Sequence, residues 1–271
     1  GFTCLGGYAA AWLTIPPMMK QTLLPGLPDW LMNLQLPFWA GAIFAALWAA
    51  IWAAVFGKIL MRLSGIAASI ATFAMLAMIN TIYSNWESVT AATSSVVGIP
   101  IVRSIWPYLI AAILAVFVAW AHSISRAGLA LRAARDEPTA AAASGIDAPK
   151  ERLVAFIISG AVMGMGGALF AHSIGVVTPD TFYLTLTFIT LSMLVVGGMG
   201  SLSGAVLGVV LLSGLIQGLR WLEAGVSIGT TTFAIPNGLQ EITLGIVMIL
   251  ILARRPSGIM ANSELSWTRS R

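Results

Sequence analysis

The stretch LVAFIISGAVMGMGGALFAH, from Leu153 to His172, contains no charged residue and decides the fold class of this chain. A helix that crosses the hydrocarbon core of a membrane needs roughly 20 consecutive apolar residues. The rest of the chain has the same character, because 58% of the 271 residues are hydrophobic, 9% are charged and the mean hydropathy is +0.92. The sequence therefore predicts an all-α polytopic integral membrane protein.

The chain contains about seven hydrophobic segments that approach the length of a membrane span. Residues 184–196 and 202–219 are the short ones, and they flank a glycine-rich run, which predicts two broken helices that meet within or near the membrane. Residues 2–15 are too short to span alone, and we interpret them as the remainder of a truncated N-terminal segment. The other predicted segments are 37–57, 66–83, 105–122, 153–172 and 238–253.

One polar loop, residues 123–152, interrupts a chain that we otherwise predict to be a single transmembrane domain over residues 1–271. Residues 137–144 of this loop are rich in alanine, which favours helix. Pro138 is tolerated in the first turn of a helix, and Gly145 is typical of the position just after a C-terminus. The sequence therefore predicts a short exposed helix, which suits contact with a soluble partner, although a solvated linker is the alternative.

The Lys and Arg residues predict the orientation of the chain, because they concentrate in cytoplasmic loops. If residues 123–152 are cytoplasmic, alternation of the spans puts only Lys20, Arg103 and Arg220 of the 14 cations on the other side. The C-terminus is then cytoplasmic. The cations on the cytoplasmic side are Lys58, Arg62, Arg126, Arg132, Arg135, Lys150, Arg152, Arg254, Arg255, Arg269 and Arg271.

The sequence excludes several functional classes. Cys4 is the only cysteine, so an internal disulfide cannot form, and the two histidines, His122 and His172, are too distant in sequence for a recognisable metal site. No GxxxxGK[ST] phosphate loop is present, so the chain cannot hydrolyse a nucleotide by itself. Both histidines fall at predicted ends of spans, where an interfacial position is expected. We predict a transport pathway and no enzyme activity.

Two sets of residues are candidates for the translocation path. The first is the glycine-rich run and its continuation, where irregular backbone is tolerated beside a cavity. Its members are Gly197, Gly198, Gly200, Ser201 and Gly204. The second is a set of polar residues on otherwise apolar helices, namely Thr72, Asn80 and Thr187. Close packing between helices is the alternative interpretation of the glycines, and interhelical hydrogen bonds are the alternative for the polar residues.

Several stretches resemble one family in both sequence and order. GLALRAARDEPTAAAASGIDAPKERLVAFIISGAVMGMGGALFAHSIGVVTPDTF, residues 128–182, is similar to the cytoplasmic loop and following span of LivM-type permease subunits of branched-chain amino-acid ABC transporters. Four other stretches resemble the same family. They are GGYAAAWL at 6–13, LMRLSGIAASIATFAM at 60–75, VVGGMGSLSGAVLGVVLL at 195–212 and ARRPSGI at 253–259. TAATSSVVGIP at 90–100 departs from the family's TGG-like stretch, which leaves urea, short amides and other amino acids as alternative substrates.

The resemblance implies the permease subunit of an ATP-driven importer. Its expected partners are a second, homologous permease, two cytoplasmic ATPases that use ATP and Mg, and an extracytoplasmic solute-binding protein, while this chain binds no cofactor. An ion-coupled secondary transporter or a passive channel for a small polar solute is the alternative, disfavoured because the spans hold almost no ionisable residues. We expect the ATPase-coupling contact at Arg132, Arg135, Asp136, Glu137, Ala141, Ala142 and Gly145.

Overall fold

The computed structural model describes residues 1–223, 226–228, 231–233, 239–255 and 258–260. It is mostly helical and forms two compact units, Gly1–Thr185 and Leu186–Arg271, which we describe separately. The prediction of one all-α domain is confirmed in its helical character, while the assignment of residues 1–271 to a single domain stays a prediction.

The first unit contains ten α-helices, a two-stranded antiparallel sheet and one short 3₁₀ helix, Asp180–Phe182. In chain order the elements are α1 (Phe2–Thr14), α2 (Pro17–Leu23), α3 (Asp29–Met32), α4 (Phe38–Leu60), α5 (Gly65–Asn85), α6 (Glu87–Thr90), β1 (Val96–Val97), α7 (Trp106–Ile124), α8 (Arg126–Asp136), α9 (Pro138–Ala143), α10 (Ala148–Ile174) and β2 (Val176–Val177). β1 pairs with β2, with Val96 opposite Val177.

Helices α1, α4 and α10 form the core of this unit and pack through small residues. The buried face of α4 repeats alanine at one-turn spacing, at Ala42, Ala45, Ala49 and Ala53. A Cβ atom added at Gly164 of α10 would overlap the Ala49 side chain, and one added at Gly6 of α1 would overlap the Gly164 backbone. Small residues let membrane helices approach closely and gain van der Waals contact. We call this three-helix contact the glycine seam.

Helix α1 is short but occupies the centre of the unit. Its 13 residues rise about 20 Å, less than a hydrocarbon core of about 30 Å. All residues from Thr3 to Thr14 are buried. The prediction that residues 2–15 cannot span alone fits this length. The sequence did not predict that α1 is enclosed by α4 and α10.

Helices α5 and α7 are as apolar as the core helices but contact little of the chain. In the apolar window of each, 6% of the positions are buried, against 28% in α4 and 22% in α10. Large side chains such as Ile70 and Ile113 are exposed by 64% and 60%. In a membrane, these faces meet lipid or another helix.

Within the described ranges, six helical stretches are long and apolar enough to cross a membrane. They are Phe38–Leu60, Gly65–Asn85, Trp106–Ile124, Ala148–Ile174, Asp180–Gly197 and Leu202–Trp221. The predicted segment 238–253 forms a helix of 16 residues, below that length. The multi-pass architecture is therefore confirmed, and the count of about seven spans stays a prediction.

The segment between α1 and α4 encloses a lysine. Lys20 of α2 is fully buried, and its Nζ donates hydrogen bonds to the carbonyl oxygens of Leu31, at 3.1 Å, and Leu34. Burial lowers the pKa of the Lys20 ammonium from its ordinary value of 10.5. The lysine thereby connects α2 to α3 and to the residues that follow α3.

His172 lies in the last turn of α10, and its interfacial position in the membrane stays a prediction. Its ring is fully buried at the end of α10, against Phe38 at 4.9 Å between centroids. The Nδ1–H group donates to the carbonyl oxygen of Ala168 at 2.7 Å, while Nε2 has no hydrogen-bond partner within the described structure. Burial of this imidazole follows from the approach of α4 to α10, which the position of His172 in the sequence could not indicate.

In the described part of the second unit, the elements are α11 (Leu184–Gly197), which begins just before the unit boundary, α12 (Leu202–Glu223), β3 (Val226–Ile228), β4 (Thr231–Phe233) and α13 (Leu239–Arg254). β3 and β4 pair antiparallel, with Ser227 opposite Thr232. The predicted segments 184–196 and 202–219 form α11 and α12, which are separated at residues 198–201, and α12 is longer than predicted, with 22 residues to Glu223. Polar residues Gln217 and Arg220 shorten the apolar run but do not end the helix.

Candidate functional site

The polar loop begins with α8, a helix that the sequence did not predict. Ser125 lies at the N-cap of α8, where its Oγ accepts a hydrogen bond from the Gly128 N–H at 3.2 Å. A Cβ atom at Gly128 would overlap the carbonyl oxygen of His122, so α8 can turn this close to α7 only with glycine there. Arg132 Nη2 donates to the carbonyl oxygen of Ser123 at 3.1 Å. The serine cap before an amphipathic run was the signal that could have revealed α8.

Helix α9 confirms the predicted short helix in the loop. It spans Pro138–Ala143, with Pro138 in its first turn. Gly145 follows with a left-handed φ of +81°. The N–H groups of Ile146 and Gly145 donate to the carbonyl oxygens of Ala141 and Ala142, both at 3.0 Å. This is the Schellman arrangement, in which glycine takes a conformation that other residues reach only at a cost.

Helix α10 starts at Ala148, three residues after Gly145, and connects α9 to the core. Asp147 is its N-cap, and one carboxylate oxygen accepts a hydrogen bond from the Lys150 N–H at 3.3 Å. Both α8 and α9 pack against α10. The polar loop is therefore a folded helical element, which we call the α8–α9 element, and it is attached to the helix that enters the glycine seam.

The surface of the α8–α9 element carries most of the predicted coupling residues. Ala134 and Ala141 face inward and are exposed by only 2% and 5%. Among the predicted coupling residues, the exposed ones are Arg132, Arg135, Asp136, Glu137, Ala142 and Gly145. The expectation that Ala141 contacts a partner is therefore corrected, because Ala141 packs within the chain. The sequence could not show which of the four consecutive alanines is buried, because that depends on how α9 packs against α10.

The charged side chains of this surface interact only weakly with one another. Arg135 Nε lies 3.2 Å from Asp136 Oδ1, and the two side chains are exposed by 71% and 68%. Such an exposed ion pair contributes about 0–1 kcal/mol. Glu137 accepts a short hydrogen bond from Thr139. A binding partner could replace these contacts at little cost in stability.

The polar path candidates of the first unit lie on α5. Thr72 Oγ1 donates to the carbonyl oxygen of Ser69 at 2.9 Å, so its hydroxyl is satisfied within its own helix. The amide nitrogen of Asn80 is buried and has no hydrogen-bond partner in the described part of the chain. An unpaired buried amide costs about 1–3 kcal/mol. Of these two candidates, Asn80 is therefore the one with an unsatisfied hydrogen-bond donor.

The glycine-rich candidates belong to the second unit, where they bring α11 and α12 together. Cβ atoms added at Gly197 or Gly208 would overlap backbone atoms of the facing helix. Gly204 N–H donates to Ser201 Oγ at 3.0 Å, which caps α12. The helix-packing interpretation is thus confirmed for Gly197 and Gly204.

The remaining candidates of that unit have other environments. Gly198 is buried and has a φ of +119°, Gly200 is exposed, and Thr187 is partly buried and forms an interaction of its own. The structure thus brings Gly197, Gly198, Ser201 and Gly204 together. Thr72 and Asn80 lie on a different helix of the other unit.

An aromatic cavity of about 570 Å³ lies between α1, α4 and α5, and the sequence did not indicate it. Trp12, Trp48, Trp52, Tyr83 and Trp86 are among its lining residues. None of the described side chains that line it is charged. The amino and carboxylate groups of an amino acid would lose their hydration there without compensation. We therefore do not assign this cavity to an amino-acid path.

Comparison with known proteins gives consistent results. Residues 1–252 match the model of a family described as the permease component of branched-chain amino acid transport systems. The chain is 31% identical over 161 residues to the high-affinity branched-chain amino acid transport system permease protein LivM of Salmonella typhimurium, which covers 58% of this chain and 35% of that protein. It is 30% identical to the Escherichia coli LivM over the same shares.

A second type of relative carries the name LivH. The chain is 26% identical over 141 residues to LivH of Escherichia coli, covering 52% of this chain and 42% of that protein. No solved structure matches the chain. The chain spans about a third of the length of the LivM proteins that it matches. Because the family model covers most of its residues, the chain belongs to the family of branched-chain amino acid transport system permease components.

Proposed function

We propose that the chain is part of a permease subunit of an ATP-driven importer for branched-chain amino acids or related small solutes. Membership of the permease family and similarity to proteins named LivM and LivH support this function. The subunit lies in a bacterial-type cytoplasmic membrane, which its similarity to LivM and LivH supports. Its C-terminus lies in the cytoplasm, as the distribution of Lys and Arg predicts. It supplies the pathway and performs no chemical reaction itself.

The observation that carries this proposal is the α8–α9 element. Its outer surface is exposed and charged, while its inner alanines pack toward α10. A force applied at Glu137 or Ala142 would act on the start of α10 through the Gly145 turn and the Asp147 cap. Because α10 is close-packed with α1 and α4, that force would move the core helices together. This is the geometry of a lever between a soluble motor and a membrane pathway.

The proposed partners are two cytoplasmic ATPases, a second permease and an extracytoplasmic solute-binding protein. The ATPases bind ATP and Mg, and they contact the exposed coupling residues of the α8–α9 element. The existence of both LivM and LivH relatives supports pairing with a homologous permease. The sparsely buried faces of α5 and α7 offer area for that contact.

For the path itself, we propose Asn80 and Thr72 on α5 as the polar groups that meet the solute or the second permease. The unpaired Asn80 amide supports this role, because a passing polar solute or a facing helix would supply its missing acceptor. In the second unit, Thr187, Gly198, Gly200 and Ser201 are secondary candidates. Gly197 and Gly204 contribute through packing of α11 on α12.

Reversal of one charge tests the coupling role. Glu137→Lys in the full-length protein, expressed with its ATPases and second permease, should lower the amount of co-purified ATPase about ten-fold, because it reverses an exposed charge at the proposed contact. The matched control is Asp29→Lys, which makes the same charge change at an exposed residue of α3. We expect the control to retain the ATPases. Normal uptake and normal ATPase recovery with Glu137→Lys at full expression would refute the coupling assignment.

A further inference from the structure

A second cavity, of about 360 Å³, lies where α4 ends and α10 begins. Its lining residues come from these two helices and from the Asp147 cap. They are Gly57, Lys58, Met61, Arg62, Asp147, Pro149, Lys150 and Leu153. α4 ends at Leu60 and α10 starts at Ala148, and both helices qualify as membrane spans. The cavity therefore opens at the boundary between the apolar and polar regions of the protein.

The cavity is strongly cationic. Lys58, Arg62 and Lys150 line it, and none of them forms a salt bridge within the part of the chain that the structure describes. Asp147 is the one acidic residue of the lining, and one of its carboxylate oxygens accepts the Lys150 N–H at the start of α10. Three cations and one carboxylate leave an excess of positive charge that a bound anion would neutralise.

The inner wall of the cavity is apolar and depends on a glycine. A Cβ atom added at Gly57 would come within 2.7 Å of Leu153 Cδ1 and 2.9 Å of Phe156 Cδ1, so a side chain there would displace both residues. Met61 and Leu153 complete this wall. The cavity thus combines a charged rim with an apolar interior, as an amphiphilic ligand requires.

An apolar row on α4 leads directly to the cations. Ile51, Val55 and Ile59 are exposed by 56%, 51% and 71%, and they follow one another at one-turn spacing. Residues three apart on a helix are neighbours on its surface. Lys58 follows Val55 by three residues, and Arg62 lies in the turn after α4, where its N–H donates to the carbonyl oxygen of Ile59 at 3.3 Å. A lipid whose phosphate meets these cations could therefore lay an acyl chain along the same side of α4.

We propose that this cavity binds the phosphate headgroup of an anionic phospholipid. Basic pockets between membrane helices on the cytoplasmic side are suited to such headgroups, and each Lys or Arg near an anionic surface contributes about 1 kcal/mol. Free phosphate has the same anionic chemistry, but it would leave the apolar wall and the row on α4 unused. The assignment concerns lipid alone and does not depend on the proposed substrate or ATPases.

Native mass spectrometry of the full-length protein in mild detergent tests this site. The probe is an equimolar mixture of phosphatidylglycerol and phosphatidylcholine with identical acyl chains. The wild-type protein should retain phosphatidylglycerol preferentially. The double variant Lys58→Gln/Arg62→Gln should weaken that retention about thirty-fold, because each neutralised cation accounts for about five-fold.

The matched control is Arg103→Gln/Arg126→Gln, which removes the same charge from two exposed residues outside the cavity and should retain the lipid. An unchanged melting temperature shows that both variants are folded. Equal losses in the two double variants would overturn the site, because they would reflect net charge alone. Displacement of the lipid by millimolar inorganic phosphate would assign the cavity to a soluble anion instead. Loss of ATPase recovery with unchanged lipid retention would assign it to a partner protein and also overturn the proposal.

Discussion

Helix α10 has two parts that meet the rest of the chain in different ways. From Gly160 to His172 it lies in the glycine seam, where a Cβ atom added at Gly160, Gly164 or Gly167 has no room. From Ala148 to Phe156 it carries the α8–α9 element, which is held by a cap, a glycine turn and two buried alanines. One continuous helix therefore joins a region held by close packing at glycines to a region held by local hydrogen bonds.

The difference teaches where change is tolerated. Close packing in the seam distributes its stability over many contacts, and overpacking costs 1–3 kcal/mol or more per site, by typical estimates. Each local bond of the α8–α9 element contributes on the order of 1 kcal/mol. A substitution in the seam should affect the whole unit, whereas one in the α8–α9 element should affect that element and the coupling that we propose for it.

The largest effect is expected at Gly167. A Cβ atom there would overlap the carbonyl oxygen of Thr3 and approach the Gly7 N–H at 2.9 Å, so Gly167→Val must separate α1 from α10. We expect a loss of at least about 3 kcal/mol in unfolding free energy. The measurement is the melting temperature of the purified full-length protein, together with the yield of monodisperse material.

The neighbouring glycine supplies the control. Gly166 is exposed and has open space around it, so Gly166→Val should change stability by about 0.5 kcal/mol or less. If both variants melted at the same temperature, the contrast between the two parts of α10 would fail, since helix propensity and not close packing would then explain the result.

An intermediate effect is expected at Gly145. Its left-handed φ makes Gly145→Arg strained by about 1–2 kcal/mol, although the structure leaves space for the side chain. The amide groups of α9 should then exchange with deuterium about ten-fold faster, while α10 inside the seam keeps its protection. Transport should fall as the α9 surface loosens, and membrane insertion should not.

The control variant Gly145→Asn distinguishes the effect of backbone strain from the effect of replacing glycine as such. Asparagine visits the left-handed region more readily than other residues, so exchange in α9 should stay within about three-fold of the wild-type rate. Faster exchange throughout α10 in Gly145→Arg would contradict the division of α10, because the strain would then have passed into the seam.

The smallest effect is expected at Asp147. Its hydrogen bond to the Lys150 N–H is 3.3 Å long and exposed, so Asp147→Ala should cost about 0.5–1 kcal/mol. The expected readout is a drop of a few degrees in melting temperature, and Asp147→Asn should restore it because an amide oxygen also caps a helix. A drop as large as that of Gly167→Val would show that the start of α10 is as critical as the seam.

Much of the helical architecture follows from local sequence. The segment predicted at 37–57 became α4 (Phe38–Leu60), and the predicted loop helix became α9. Apolar length, a proline in the first turn and a glycine after the last turn are properties of neighbouring residues, and they act whatever the rest of the fold does. The position of the α8–α9 element as a candidate contact could therefore be predicted.

The contacts between helices could not be predicted in the same way. The burial of Ala141, the inward turn of His172 and the enclosure of α1 depend on which helix lies opposite, and a single sequence does not specify that. The cationic cavity is similar, because Lys58 and Lys150 are distant in sequence and meet only after α4 packs on α10. Gly214 and Gly218 of α12 show the opposite case, since small residues four apart are typical of helix contacts in membranes, yet the described structure leaves open space around both.

The burial of Cys4 makes the chain its own reporter of core opening. This single cysteine lies in α1 and is 3% exposed, so a maleimide can reach its sulfur only when α1 separates from the seam. The rate of labelling would measure how often that separation occurs in the resting protein, without an introduced cysteine. If the α8–α9 element does move the core helices during a transport cycle, the labelling rate would rise whenever nucleotide turnover begins.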